Sequence, residues 1–294
     1  MHRFCSIRRH RWTLVCLTAF VWSATSSIVA REAQASSGEK TESALSAPSE
    51  SPECPSGIAG RAARALHFAG DESFWEGQDR SACRLDPAHR DRAIVALTHV
   101  PGEERTGKLD ESGTSLARDL DIVLMQPSDD TIIARGHWDL EIQDDAQRLE
   151  SVAVDTGRYV LAEGKRAFGI RTINSTHCTC FNNGWEGLTL FVQNEDRVDL
   201  VLRTQVSGWQ AESDGSEESH LPCSLSSTEW HSTLAVSRRD HHGMSDLEQL
   251  TVKQAKYEAD EVAAKCPELP PKRTVTTWRF DGREYKELKA GSGQ

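Results

Sequence analysis

From about residue 90 onward the chain is a succession of short apolar runs separated by a few turn-forming residues, and this rhythm constrains the fold more than any other feature. The runs cover residues 93–97, 120–125, 131–134, 149–154, 158–161, 167–173, 188–192, 198–202, 230–236 and 275–280. Val, Ile, Thr and aromatic residues are common in them, and Gly, Asn and Asp lie between them, as in strands and turns. Glu163-Gly164, Asn194-Glu195-Asp196 and Asp281-Gly282 read as hairpin turns between neighbouring runs. Joins this short favour antiparallel pairs, because a parallel pair needs a crossover of about a dozen residues or more. The expected fold is therefore mainly β, an antiparallel sandwich- or barrel-like domain with a short N-terminal helix. That helix is expected over residues 56–68, with Ser56 as its cap and Ile58, Ala62, Ala65 and Leu66 on one face. Residues 245–264 are ambiguous. Ser245 with Glu248 forms a capping box, yet Leu250, Val252 and Gln254 alternate, so a strand is expected over 247–256 with a helical turn before Cys266.

Ahead of the strand-rich region lie two segments of different character. Arg3, Arg8, Arg9 and Arg11 are followed by an uncharged stretch from Trp12 to Ala30. A basic start, an apolar run and small residues after it form a secretion signal, and residues 1–35 read as one, with cleavage after Ala30 or Ala35. An uncleaved anchor is the competing reading, since the stretch is near the ~20 residues that span a bilayer, but the polar residues 23–27 weaken it. Cys16 follows Val15 inside the apolar run, which does not suit a lipoprotein, and Arg8-Arg9 lacks the apolar residues of a twin-arginine signal. Residues 36–53 are rich in Ser, Glu, Ala and Pro and read as a disordered tether. Residues 54–288 form the expected single domain, and residues 289–294 a flexible tail. The expected location is periplasmic or secreted, with no stable membrane insertion after cleavage.

Cleavage after Ala30 removes four arginines and no acid, so the net charge falls from −11 to −15. Such a chain repels phosphate backbones and anionic headgroups, so nucleic acid is not an expected partner. An unknown protein or carbohydrate ligand is.

Six cysteines follow the signal: Cys54, Cys83, Cys178, Cys180, Cys223 and Cys266. An even number in an exported chain reads first as disulfides. Proximity along the chain suggests Cys54–Cys83 and Cys223–Cys266, although six cysteines allow about 15 connectivities. His177, Cys178 and Cys180 could instead hold Zn or Cu, since an imidazole and two thiolates are soft ligands, but no fourth ligand is identifiable.

Asp119 and Asp121 share one face of an expected strand. Paired carboxylates can do acid–base work, and these two are the candidate catalytic residues of a hydrolase. A solvated strand face is the plainer reading. The acidic run Asp139, Glu141, Asp144 and Asp145 lacks a calcium-loop frame and reads as a solvated loop. His241-His242-Gly243 reads as a turn. The chain shows no nucleophile elbow and no phosphate-cradling loop, so no cofactor is expected. Asn174-Ser175-Thr176 fits a glycosylation triplet. Trp138, Trp230 and Trp278 lie on strand patterns and read as core, while Trp185 and Trp209 lie near glycines and are the better surface candidates.

Several segments together resemble an uncharacterised group of exported, strand-rich proteins from Gram-negative bacteria. The residues that carry this are Asp119-Leu120-Asp121-Ile122-Val123-Leu124, Val154-Asp155-Thr156-Gly157-Arg158-Tyr159, Arg166-Ala167-Phe168-Gly169-Ile170-Arg171, Leu190-Phe191-Val192, His242-Gly243-Met244-Ser245-Asp246-Leu247 and Trp278-Arg279-Phe280-Asp281-Gly282-Arg283-Glu284-Tyr285. The resemblance implies export and β-architecture. It brings no activity, and Cys178 and Cys180 are additions to the group's usual pattern. The expected function is a non-enzymatic binding or envelope-associated protein, with the Asp119/Asp121 hydrolase and the His177/Cys178/Cys180 metal protein as alternatives.

Overall fold

A computed structural model describes residues 54–108, 117–140, 147–176, 183–211, 225–257, 266 and 269–288. All of them belong to one compact unit, Ser49–Gln294. The described part opens with helix α1, Ile58–Ala65. Ser56 is not its cap. That place is taken by Gly57 at φ 69°, a left-handed backbone that glycine adopts without steric cost, and the cap carries no side-chain hydrogen bond. Small residues on the inner face of α1, Ala59, Ala62 and Ala63, are buried and let the helix lie close on the sheet.

Twelve described strands form a single mixed sheet. The first four are β1 (Ser81–Leu85), β2 (Ala93–His99), β3 (Asp119–Met125) and β4 (Ile132–Asp139), and each pairs antiparallel with the next. A single helical turn, α2 (Glu103–Thr106), follows β2. Next comes a meander of β5 (Gln147–Ala162), β6 (Lys165–Thr176), β7 (Asn183–Asn194), β8 (Arg197–Ala211), β9 (Leu225–His241), β10 (Met244–Tyr257), β11 (Lys272–Phe280) and β12 (Tyr285–Glu287). Consecutive strands of the meander are antiparallel.

Two features depart from the expected antiparallel sandwich or barrel. β4 joins β8 in parallel through the pair Arg135–Arg197, where the Arg135 amide donates to the Asp196 carbonyl at 3.1 Å, so the sheet is mixed. The sheet is also not a closed barrel: among the described strands β1 pairs only with β2 and β12 only with β11. The hairpin turns expected at 163–164, 194–196 and 281–282 all join consecutive strands. Residues 149–154 and 158–161 are one strand rather than two. The register steps from Asp155–Gly169 to Tyr159–Ala167, so Thr156, Gly157 and Arg158 bulge without ending β5. Within the ambiguous stretch residues 245–257 belong to strand β10, as the alternation of Leu250, Val252 and Gln254 favours over the capping box, and residues 258–264, with the helical turn expected before Cys266, lie outside the described residues.

Three buried clusters hold the sheet together. Under α1, Ile58, Ala62 and Trp75 meet Val95, Leu97, Val123 and Met125 from the odd-numbered face of β2 and β3. The opposite face of β2–β4, with Ile94, Leu120, Ile122 and Ala134, packs on Val152, Phe168, Ile170 and Phe191 of β5–β7. The other side of β5–β8, with Tyr159, Leu161, Leu188 and Leu190, packs on Met244, Leu247, Phe280 and Tyr285. The meander therefore has apolar contacts on both faces, each large buried side chain contributing roughly 1.5–3 kcal/mol. One ionic group sits within it. Arg171 donates to Asp155 and Glu186, both at 2.8 Å, and Tyr159 donates to Asp155 at 3.0 Å. Burial and the neighbouring Asp155 carboxylate push the Tyr159 hydroxyl up to about 12.

Cys54 and Cys83 form a disulfide with Cα atoms 6.0 Å apart, tying the entry to α1 onto β1. Cys266 is also disulfide-bonded. Cys178, Cys180 and Cys223 lie outside the described residues.

Candidate functional site

Asp119 and Asp121 do share a face of β3, and the face is only partly solvated. It is the face that α1 covers further along, and Asp121 is only 8% exposed. Register brings two histidines to it: His99 on β2 lies opposite Asp119, and His137 on β4 lies opposite Asp121. Asp121 bridges them. Its Oδ2 is 2.8 Å from His99 Nε2 and its Oδ1 is 3.2 Å from His137 Nδ1. Asp119 Oδ2 stands 3.8 Å from His137 Nε2.

The two imidazoles have different surroundings. His99 is buried, with Phe68 and Trp75 presented edge-on at centroid distances of 5.5 and 6.0 Å. Its Nδ1 faces the Val100 carbonyl at 3.2 Å and a Glu104 carboxylate oxygen at 3.4 Å. Burial alone would push His99 down. The Asp121 hydrogen bond, the Val100 carbonyl and the charges of Asp121 and Glu104 outweigh it, and the ring holds its proton above the ordinary histidine value. Asp119 is raised, by burial first and by the charges of Asp121 and Asp139, against the pull of His137 and His99. His137 is mostly open to solvent. The arrangement can orient an imidazole and shuttle a proton, as a carboxylate–histidine pair does. Nearby, buried Glu103 pairs with Arg80 at 3.0 Å and accepts from the Val100 amide, fixing the end of β2.

A well-formed groove lies elsewhere. In a meander alternate turns fall at one end, and the turns β5–β6, β7–β8, β9–β10 and β11–β12 gather there. They surround a groove of about 560 Å³. Trp138 and Phe280 give it apolar walls, and Lys165, Asp199, His242, Arg283 and Glu284 line the rest. His242 and Gly243 sit at φ 51° and 77°, the left-handed backbone of a tight turn. The two histidines diverge: His242 lines the groove, whereas His241 holds Asp246 at 2.8 Å. Neither Asp119, Asp121, His99 nor His137 lines this groove. A smaller depression of about 320 Å³ opens on β6–β8 beside Trp185.

Residue patterns alone do not single out His99, His137 or Glu104. The available signal is a histidine at the same parity as buried strand residues, Val95 and Leu97 before His99. The glycosylation triplet is not an accessible acceptor in the fold, because Asn174 is 4% exposed. Trp138, Trp230 and Trp278 are half-buried rather than enclosed, and Trp209 is 37% exposed, as a surface tryptophan should be. His177, Cys178 and Cys180 lie outside the described residues, as do Glu141, Asp144 and Asp145.

No family model matches the chain, and no curated protein or solved structure matches it.

Proposed function

We propose that the chain is an exported, non-enzymatic binding protein of the periplasm or extracellular space, which holds a protein or carbohydrate ligand in the groove at the turn end. The observation that carries this is the groove itself. Its size lies in the ~300–1,000 Å³ range of ligand sites, and it pairs aromatic walls with charged and hydrogen-bonding side chains. The packing of β1–β4 on β5–β7 supports a sandwich-like scaffold, whose turns are free to carry ligand contacts while the strands stay fixed. The basic, then apolar leader and the Cys54–Cys83 bond support export. No described helix is long and apolar enough to cross a membrane.

A second reading is a hydrolase centred on Asp121, favoured by the two imidazoles that this one carboxylate holds. One experiment separates the two. Native protein purified from the host envelope is analysed by mass spectrometry for bound ligand, beside Lys165→Glu/Arg283→Glu and Asp121→Asn variants. The binding reading expects a ligand that the charge reversal loses and Asp121→Asn retains. Turnover of ester or glycoside substrates that Asp121→Asn abolishes would overturn it in favour of the hydrolase.

A further inference from the structure

A row of residues crosses four strands of the meander at the depression beside Trp185. Asn174 on β6 lies opposite Trp185 on β7, Trp185 opposite Gly208 on β8, and Gly208 opposite Trp230 on β9. Directly opposed residues project from the same face, so both indoles stand on one surface. Gly208 puts no side chain into the space between them. Trp230 leans into it, since a Cβ at Gly208 would fall 2.3 Å from Trp230 Cζ2. Next to Trp185 the depression of about 320 Å³ is lined by Gln147, Thr172, Asn174, Thr189 and Arg203.

Asn174 is the informative residue. It is 4% exposed and lines the depression. Its Nδ2 donates to the Thr172 carbonyl at 3.4 Å and to Thr172 Oγ1 at 3.2 Å, while its Oδ1 is buried and accepts from no group among the described residues. A buried amide oxygen without a donor loses its hydration with no return, and exchanging the amide oxygen and nitrogen leaves the same number of unmet groups. Such a group is costly to the fold alone and useful to a ligand that brings a donor.

We propose that this face is a binding site for a neutral saccharide. The apolar C–H face of a sugar ring stacks on the Trp185 indole, one hydroxyl donates to Asn174 Oδ1, and neighbouring hydroxyls bond Thr172, Thr189 and Gln147. Neutral amides and hydroxyls dominate the lining. Its single charged side chain among the described residues, Arg203, donates to the Asp139 carbonyl at 2.6 Å. Sugars present this combination of one apolar face and a rim of hydroxyls, whereas an anionic ligand calls for several cations. Trp230 lies on the same face beyond the lining, with the Lys253 ammonium 5.8 Å from its ring centroid. The site is separate from the groove at the turn end and does not depend on it.

The test titrates the signal-free chain with di- and trisaccharides of glucose, N-acetylglucosamine, mannose and galactose, by calorimetry and tryptophan fluorescence. At least one series is expected to bind and to shift the fluorescence. Trp185→Ala should weaken that binding about tenfold or more, and the milder Thr189→Val should weaken it without touching the fold. Asn174→Leu should weaken binding while leaving the Tm of the free protein unchanged or raised, which a purely structural asparagine would not do. Lys165→Glu/Arg283→Glu should leave saccharide affinity unchanged, so failure here is distinguishable from failure of the turn-end groove. The proposal is overturned if no saccharide of the panel binds at millimolar concentration. Affinity indifferent to both Trp185→Ala and Thr189→Val would overturn it as well.

Discussion

Asp121 is the residue that organises the polar end of β3, because one carboxylate accepts from two imidazoles while nearly buried. Asp121→Ala leaves His99 without its Nε2 partner inside an aromatic wall, and is expected to destabilise the fold by about 1–3 kcal/mol, read by urea unfolding. The same contact sets a pH dependence. The proton on His99 is held more tightly in the folded chain than in the unfolded one, where the ordinary value is 6.5. Its stabilising contribution is therefore complete below that unfolded value and is lost as the pH rises through the higher folded value. Asp119 has the same sign in a lower window, since its folded value is raised above 3.8. The Tm should fall as the pH rises above the ordinary value of 6.5, and Asp121→Asn should flatten that fall because the carboxylate that raises His99 is gone. A wild-type Tm that is level across this window would contradict the assignment.

At the scale of elements, turn geometry makes a cleaner prediction than strand propensity. Gly164 stands at φ 70° between β5 and β6, and no atom lies within 4 Å of the place a Cβ would take, so a side chain there meets a conformational cost and no clash. Gly164→Ala is expected to cost about 1–2 kcal/mol, and Gly164→Asn less, by thermal unfolding. Much of the element plan is legible in the sequence because alternation and turn residues report directly on backbone state. β10 shows in Leu250, Val252 and Gln254 alone, and the hairpins in Asn, Asp and Gly. What stays hidden depends on pairing across the sheet. β1 has the composition Ser-Ala-Cys-Arg-Leu and gains its strand state from β2. The bulge at Thr156, Gly157 and Arg158 imitates a break, because its extra residues look like a turn until β6 supplies the register. The histidines around Asp121 come from β2 and β4, and the tryptophan row beside Asn174 from β7 and β9. In both places the register of the sheet joins distant segments, which no local pattern encodes.

At the scale of the whole molecule, the question is whether β1–β4 and the long meander unfold as one body. Their ladder is slight, one described parallel pair between β4 and β8, with a few further hydrogen bonds such as the Val152 amide to the Gln78 carbonyl at 2.7 Å and Arg203 to the Asp139 carbonyl at 2.6 Å. Their apolar link is extensive. Phe191 on β7 is fully buried, lies 4.7 Å from the Trp138 ring of β4 and 5.9 Å from Phe168 of β6, and belongs to the cluster that includes Ile94, Leu120 and Ile122. Burial of this kind is non-directional and shared, so loss of one half exposes the apolar face of the other. The two halves should therefore unfold together despite the thin ladder. Phe191→Ala is expected to cost about 3–5 kcal/mol, the range for emptying a large aromatic site in a core. The Cys54–Cys83 bond adds about 3–4 kcal/mol by closing its loop in the unfolded chain, and its loss in Cys54→Ser/Cys83→Ser should lower the same single transition. The check follows urea unfolding by tryptophan fluorescence and by far-ultraviolet circular dichroism, in the wild type and in each variant. Coincident curves that shift as one on Phe191→Ala establish a single cooperative body. If the Cys54→Ser/Cys83→Ser variant instead lost β1–β4 in a separate early step while the meander remained folded, the hydrogen-bonded link rather than the shared core would set the cooperativity of the fold.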